Sequence, residues 1–528
     1  MDLPPLPGQQ VHTLTDWGWL VLFSVCLAYL LHTAVYALRM GDLSKLDDVI
    51  LEIQRNASDA GIRVPESVVE GEELLKAQDS LFKMLEYARR NLELVWYVMP
   101  LCLLTSAAAG FAYIRFLHEF VHWMVRICAL LLVFLPMGWG SYCMFQYSGE
   151  PSHFMFQLGA LIFVAGVGMG FIVSRSAAIL EGAAGSLEAT SECLLQQRTL
   201  QLEPFVVVVT KVLVNVSMAV VLARLATCLE HEDVTELEYL EGIVKTPPVP
   251  HHVKVKMAFV VFMTVWLNTL SVTLMEYVAT SVVQGWYFTP YVNGMKLDVR
   301  PRLHREAYHD ALFLHFGSLL CGALLIPLAK IPYQVMNLVN MASTDDSAVG
   351  RCIAATCCCC IRVFNAVLQP LSKHALIQLA ASSAPFLASG RSYQKVVKAS
   401  VEWKYLAANN MQELFMLAGI LLITVCTSLL SLGFCEKHIV HRNVDARPLL
   451  IATAAIGWVV GNTFIRLFDM VSDTIMYCWM LQEGRYKVGP YRAAQAGRSV
   501  FGWKLQDGPV RDGKINYAPA CLRQYQTS

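Results

Sequence analysis

Glu276 is the one ionisable carboxylate between Lys256 and Phe288, in an otherwise uncharged run that closes on Trp286-Tyr287-Phe288. A carboxylate inside hydrocarbon costs about 2.5 to 3.5 kcal/mol on insertion scales, so by default it marks a functional site. Next to aromatic rings it suits an organic cation, which is drawn to the charge and to the ring faces. Tyr277 and Trp266 lie on the same run, and Trp286 and Tyr287 lie at its end. Ten helical residues separate Trp266 from Glu276, a rotation that leaves them roughly 80° apart, on adjoining faces. Trp266, Glu276, Tyr277, Trp286 and Tyr287 are therefore the candidate substrate-binding residues. The structural alternative for Glu276 is a carboxylate turned to a polar partner on a neighbouring helix. For Trp286 and Tyr287 it is an interfacial aromatic belt.

Other chemistry-bearing residues read more quietly. His315 could gate or carry protons, but a packed histidine with satisfied nitrogens is the simpler reading. Asp469 and Asp473 stand four apart and share a helix face. They read as a polar cap on the cytosolic end of the last span, or as a polar gate with Arg466. Lys211 and Arg126 fall inside apolar runs, where long basic side chains snorkel or pair. Cys357 to Cys360 cannot converge on one metal ion, because adjacent helical side chains diverge by about a hundred degrees. They read as packing or palmitoylation residues. Gly166, Gly168 and Gly170 lack the strand context of a nucleotide loop and read as close helix packing. No nucleophile–base arrangement and no P-loop is present, so neither an enzyme nor a cofactor is expected.

These residues need a bilayer-spanning frame. Of the 528 residues, 55% are hydrophobic and 16% charged, against about 25% charged in a soluble domain. The net charge is zero, which gives nucleic acid no footprint. Most of the 16 cysteines sit in apolar runs, as small buried hydrophobes rather than a disulfide framework. The N-terminal stretch has Asp2 and Asp16 but no basic residue, so a cleavable signal is not expected. Nine runs are long enough to span: 17–38, 94–114, 120–145, 154–174, 205–226, 257–284, 311–333, 414–434 and 449–468. A tenth, 352–381, is interrupted by Arg362, Pro370, Lys373 and His374.

The expected fold is thus an all-α polytopic bundle of about ten spans. Residues 1–38 hold the first span, 39–93 form a short external or lumenal helical loop, 94–481 form the core, and 482–528 form a tail. Short-loop charges fix the sides. Lys296, Arg300, Arg302 and Arg305, then Arg391, Lys395, Lys398 and Lys404, and finally Arg485, Lys487, Arg492 and Arg498 fall with the termini, which makes that side cytosolic. Asn56-Ala57-Ser58 is then an accessible glycosylation sequon.

Several blocks, in order, resemble the choline transporter-like family. Asp16-Trp17 through Asp47 resembles its first span and the Gly-Asp-Pro segment after it. Ser174-Arg175 through Glu203-Pro204-Phe205 resembles its cytosolic helix. Val283 to Phe288 resembles its Trp-Tyr-Phe ending. His315-Phe316-Gly317-Ser318 with Gly322 resembles its His-x-Gly-Ser-x-x-x-Gly string. Cys357 to Cys360, Ser372-Lys373-His374-Ala375, and Asp473-Thr474 with Cys478 complete the series. The resemblance implies a ten-span carrier of choline or ethanolamine in the plasma membrane or an organelle membrane, feeding phospholipid synthesis. Two departures stand out. The first external loop is short and Cys-free, and Leu43 replaces the motif proline. Expected partners are a small organic cation, membrane lipids and, in the alternative of a non-transporting subunit, a larger membrane complex.

Overall fold

The computed structural model describes residues 13–41, 92–147, 154–175, 177–228, 251–289, 302–343, 371–400, 416–433 and 446–488, with short pieces at 291–292, 295–296, 510–511, 514–515, 517–519 and 522. Asn56, Cys357 to Cys360 and most of the 39–93 loop and C-terminal tail lie outside them.

The protein is α-helical, as its apolar runs require. The helices are α1 Trp17–Met40, α2 Leu92–Gln146, α3 Phe154–Arg175, α4 Ala177–Gln196, α5 Glu203–Ala226, α6 His251–Tyr287, α7 Leu303–His309, α8 Phe316–Ser343, α9 His374–Ser382, α10 Phe386–Ser400, α11 Met416–Gly433 and α12 Ala446–Val488. Two minimal antiparallel ladders interrupt the all-helical pattern, Tyr291–Val292 with Met295–Lys296 and Val510–Arg511 with Lys514–Ile515.

Among the described residues, six helices are long and apolar enough to cross a membrane, with a bent pair as a seventh. Leu303–Leu314 and Phe316–Ala329 form that pair and meet at 81°. This differs from the ten expected spans for identifiable reasons. The runs 94–114 and 120–145 both fall in α2, which is two helices that meet at a kink at Phe120 (φ −123°, ψ 17°). Its apolar stretch, Pro100–Ile127, straddles the boundary expected between them. In the run 154–174, the apolar helix Met155–Phe171 is short of full spanning length.

The interior has two apolar clusters. One gathers the second half of α6 with α2, α4, α9, α10 and α12, through Tyr277, Leu376, Phe386, Phe464 and Phe468. The other joins α1, α5, the first half of α6 and α8, through Phe23, Met218, Met263, Trp266 and Leu320. Helix α6 touches α1, α5, α7, α8, α9 and α12, so it is the axis of the bundle. Helix α3 packs closely on α2. A Cβ on Gly140 would come within 2.6 Å of the Gly159 carbonyl, and one on Gly159 within 2.7 Å of the Cys143 Cβ. Gly166 and Gly170 face Met137 and Val133 as expected of packing glycines, whereas Gly168 faces open space.

Candidate functional site

Glu276 lies where α6 becomes buried on all sides. Its side chain is 9% exposed, and Arg466 Nη1 of α12 approaches its Oε1 to 4.0 Å. The guanidinium is 44% exposed, so the pair joins a buried carboxylate to a half-open cation. Lys211 of α5 lies within electrostatic reach of both.

One helical turn along α12, Asp469 and Asp473 share a different partner. Lys373, in the turn before α9, places Nζ 2.8 Å from Asp473 Oδ2 and in a shorter contact with Asp469 Oδ2. His374 Nε2 stands 3.2 Å from Asp473 Oδ2. The gate expected between these aspartates and Arg466 is therefore not formed. Arg466 points to α6, and the interrupted run 352–381 supplies the cation instead. The His374 ring stacks on Tyr393 at 5.0 Å, and Tyr393 stacks on Tyr477 at 5.2 Å. The Tyr477 hydroxyl donates to Gln378 Oε1. Three elements, α9, α10 and α12, are joined through one ion cluster and one ring stack.

At the end of α6, Trp286 and Tyr287 are fully buried. The aromatic-belt reading fails for them, because a belt residue leaves its ring at the lipid interface. Lys296 Nζ, brought back by the first ladder, lies 4.1 Å above the Trp286 ring and 5.1 Å from that of Tyr287. It donates to the carbonyls of Trp286 at 2.9 Å and Tyr287 at 2.6 Å. A cation at the last carbonyls also suits the helix dipole. Trp286 Nε1 donates to Gln196, and the Tyr287 hydroxyl to Gln482. Burial pushes the nearby Glu192 carboxyl of α4 above its usual range, while the Lys296 ammonium pulls it back down. The corner that could seat a foreign cation thus already holds one of the chain's own.

Trp266 is not brought to this region. It packs edge-on to Phe23 at 5.3 Å and donates from Nε1 to the Leu320 carbonyl, in the other apolar cluster. Ten residues of rise separate it from Glu276 by about 15 Å along the axis, which the rotational reckoning ignored. Tyr277 instead meets His315, ring to ring at 5.6 Å.

His315 occupies the bend between α7 and α8. Its Nδ1 is 3.0 Å from Thr15 Oγ1 and its Nε2 3.3 Å from Ser383 Oγ. His309, by contrast, is exposed. The sequence reading missed Asp16, whose Oδ2 accepts from Ser318 Oγ at 2.5 Å and from the Phe386 amide at 2.8 Å. In the sequence, Asp16 starts the first block that resembles the family, with no role assigned to its side chain.

The profile described as plasma-membrane choline transporter matches residues 159–483. The chain belongs to the choline transporter family. The matched region holds α6, α9 and α12, and with them Glu276, Lys373, Asp469 and Asp473. Choline transporter-like protein 1 of Xenopus laevis is 23% identical over 226 residues, covering 43% of this chain and 34% of that protein. Choline transporter-like protein 3 of Bos taurus is 26% identical over 198 residues, covering 37% and 30%. Choline transporter-like protein 4 of Homo sapiens is 24% identical over 216 residues, covering 39% and 30%. The aligned region spans about a third of the length of these relatives. As a choline transporter family member with several apolar spanning helices, the chain is a multi-pass integral membrane protein.

Proposed function

We propose that this chain is a membrane transporter of choline or a related amine such as ethanolamine, working by facilitation or exchange and supplying phospholipid synthesis. The observation that carries the reading is the buried Glu276 on the axial helix, balanced by a guanidinium that is itself half exposed. An incoming organic cation would take the place of Arg466 at that carboxylate. The exchange would swap one cation for another at Glu276, so the carboxylate would not be left alone in hydrocarbon. That economy matters, because leaving one member of a buried pair costs about 3 to 5 kcal/mol.

The aromatic corner favours a different amine. An ammonium with several N–H donors can serve both carbonyls as Lys296 Nζ does; ethanolamine has them, whereas choline has a single hydroxyl donor. Trp286 and Tyr287 would bind substrate only once Lys296 withdraws. Tyr277 and Trp266 would act through packing, since each contacts a different part of the bundle.

Uptake of labelled choline and ethanolamine into proteoliposomes tests the reading. We expect saturable uptake that Glu276→Gln lowers at least about tenfold, in line with losing a charge-assisted contact. Saturable uptake indifferent to Glu276→Gln and Trp286→Ala would remove the site, and no uptake of either amine would remove the function. The second reading, a non-transporting subunit of a larger complex, draws on the same geometry. Glu276 has Arg466 and the aromatic corner has Lys296, so both seats are filled from within. Stable co-purification with a membrane complex, without uptake, would favour it.

A further inference from the structure

Among the described residues, a helix bend at His315 and the break between α9 and α10 meet, and one short segment binds both. The α7–α8 helix bends by 81° at His315, whose backbone leaves the helix at φ −115° and ψ 8°. The α9–α10 helix breaks at Ser383, which adopts φ 55°, followed by Ala384 and Pro385. Proline cannot continue the preceding helix. Thr13 to Asp16 lies across the two. The Thr15 amide donates to the Leu314 carbonyl at 3.1 Å, and the Thr13 amide to Ser383 Oγ at 3.2 Å.

The side chains form one directed chain of hydrogen bonds. A carboxylate only accepts, so Ser318 spends its single proton on Asp16. Ser318 Oγ must then accept from Thr15, 2.8 Å away. Thr15, having given its proton, accepts from His315, which places a hydrogen on Nδ1. In the neutral ring, Nε2 is then the acceptor for Ser383 Oγ. Asp16 closes the set by also accepting from the Phe386 amide at the start of α10. One carboxylate therefore orients Ser318, Thr15 and, through His315, Ser383. The approach is so close that a Cβ on Gly317 would overlap the Asp16 carbonyl. Gly322 meets the Phe386 ring at 3.0 Å from where its Cβ would stand, so the halves α8 and α10 are also in direct contact.

We infer that Asp16 is a gate-positioning residue: the segment Thr13 to Asp16 clasps the two broken helices together, and the clasp releases in each transport cycle. Broken helices are where transporters bend around their substrate sites, and the two breaks meet at the C-terminal end of α9, where His315 contacts Ser383; α9 carries Gln378 and contacts α6. The inference rests on the transport reading for its cycle but not for the clasp itself.

Two measurements test it. The first is a Thr15→Cys/Ser318→Cys pair, placed where the two side-chain oxygens lie 2.8 Å apart. We expect the oxidised protein to take up substrate at least about tenfold more slowly than the same double-cysteine protein when reduced. Oxidised protein that transports as fast as reduced protein would overturn the gating role, because a static joint tolerates a cross-link. The second is amide hydrogen exchange in Asp16→Ala against Asp16→Asn and the parent chain, in detergent. We expect exchange at 313–322 and at 383–390 to rise together by at least about tenfold in Asp16→Ala, with Asp16→Asn recovering part of the protection through its carbonyl oxygen. Faster exchange at only one break, or at neither, would overturn the clasp whether or not the protein transports. If the parent chain takes up neither choline nor ethanolamine, the proposed function and the gating role both fall, and exchange still decides the clasp.

Discussion

Lys373 holds two carboxylates with one ammonium. Asp473 is 2% exposed and Asp469 22%, so neither can rely on water if the lysine is removed. Lys373→Met should cost about 3 to 5 kcal/mol, the usual penalty for stranding buried charge, and should lower the thermal midpoint in detergent. Adding Asp469→Asn and Asp473→Asn to the same chain should recover most of the loss, because neutral amides no longer need the cation. A single variant as stable as the parent would mean that this cluster does not bind α9 to α12. At this scale the sequence showed the acids and their shared face, four residues apart. It did not show their partner, because Lys373 is 96 positions from Asp469 and helical periodicity says nothing across such a distance.

The helices themselves were largely legible. The apolar run 17–38 is α1 to within two residues, and 205–226 is α5 with one more turn of 3-10 backbone ahead of it. Breaks were not legible. The run 311–333 is apolar without a proline before Pro327, yet the chain turns by 81° at His315. The backbone enters the bend through a π-helical turn, Asp310–Leu314, and the Thr15 amide of the N-terminal segment pairs the Leu314 carbonyl there. Close packing between α2 and α3 is likewise visible only in pairs. Gly140→Leu should force those helices apart and cost about 1 to 3 kcal/mol, as overpacking does. Gly168→Leu, which enters open space, should change the thermal midpoint little. Equal losses from the two substitutions would remove the close-approach explanation.

For the whole molecule, loop charges place both termini in the cytosol and residues 39–93 outside, which we carry forward as a proposal. Expression in glycosylating cells should then give a mass shift that endoglycosidase and Asn56→Gln each remove. Access of a cytosolic protease to 39–93 in sealed vesicles would reverse the orientation. Composition alone determined that this chain lives in a membrane as a helical bundle, because a bilayer forces backbone polar groups to pair within each segment. The order of its short motifs determined the family. Only the tertiary structure decided what the charges do. It gave Glu276 to Arg466, Asp469 and Asp473 to Lys373, and the Trp286-Tyr287 corner to Lys296. The physical reason is that a charge in low dielectric is fixed by whichever opposite charge or dipole reaches it, and reach is a property of folded distance rather than of sequence position.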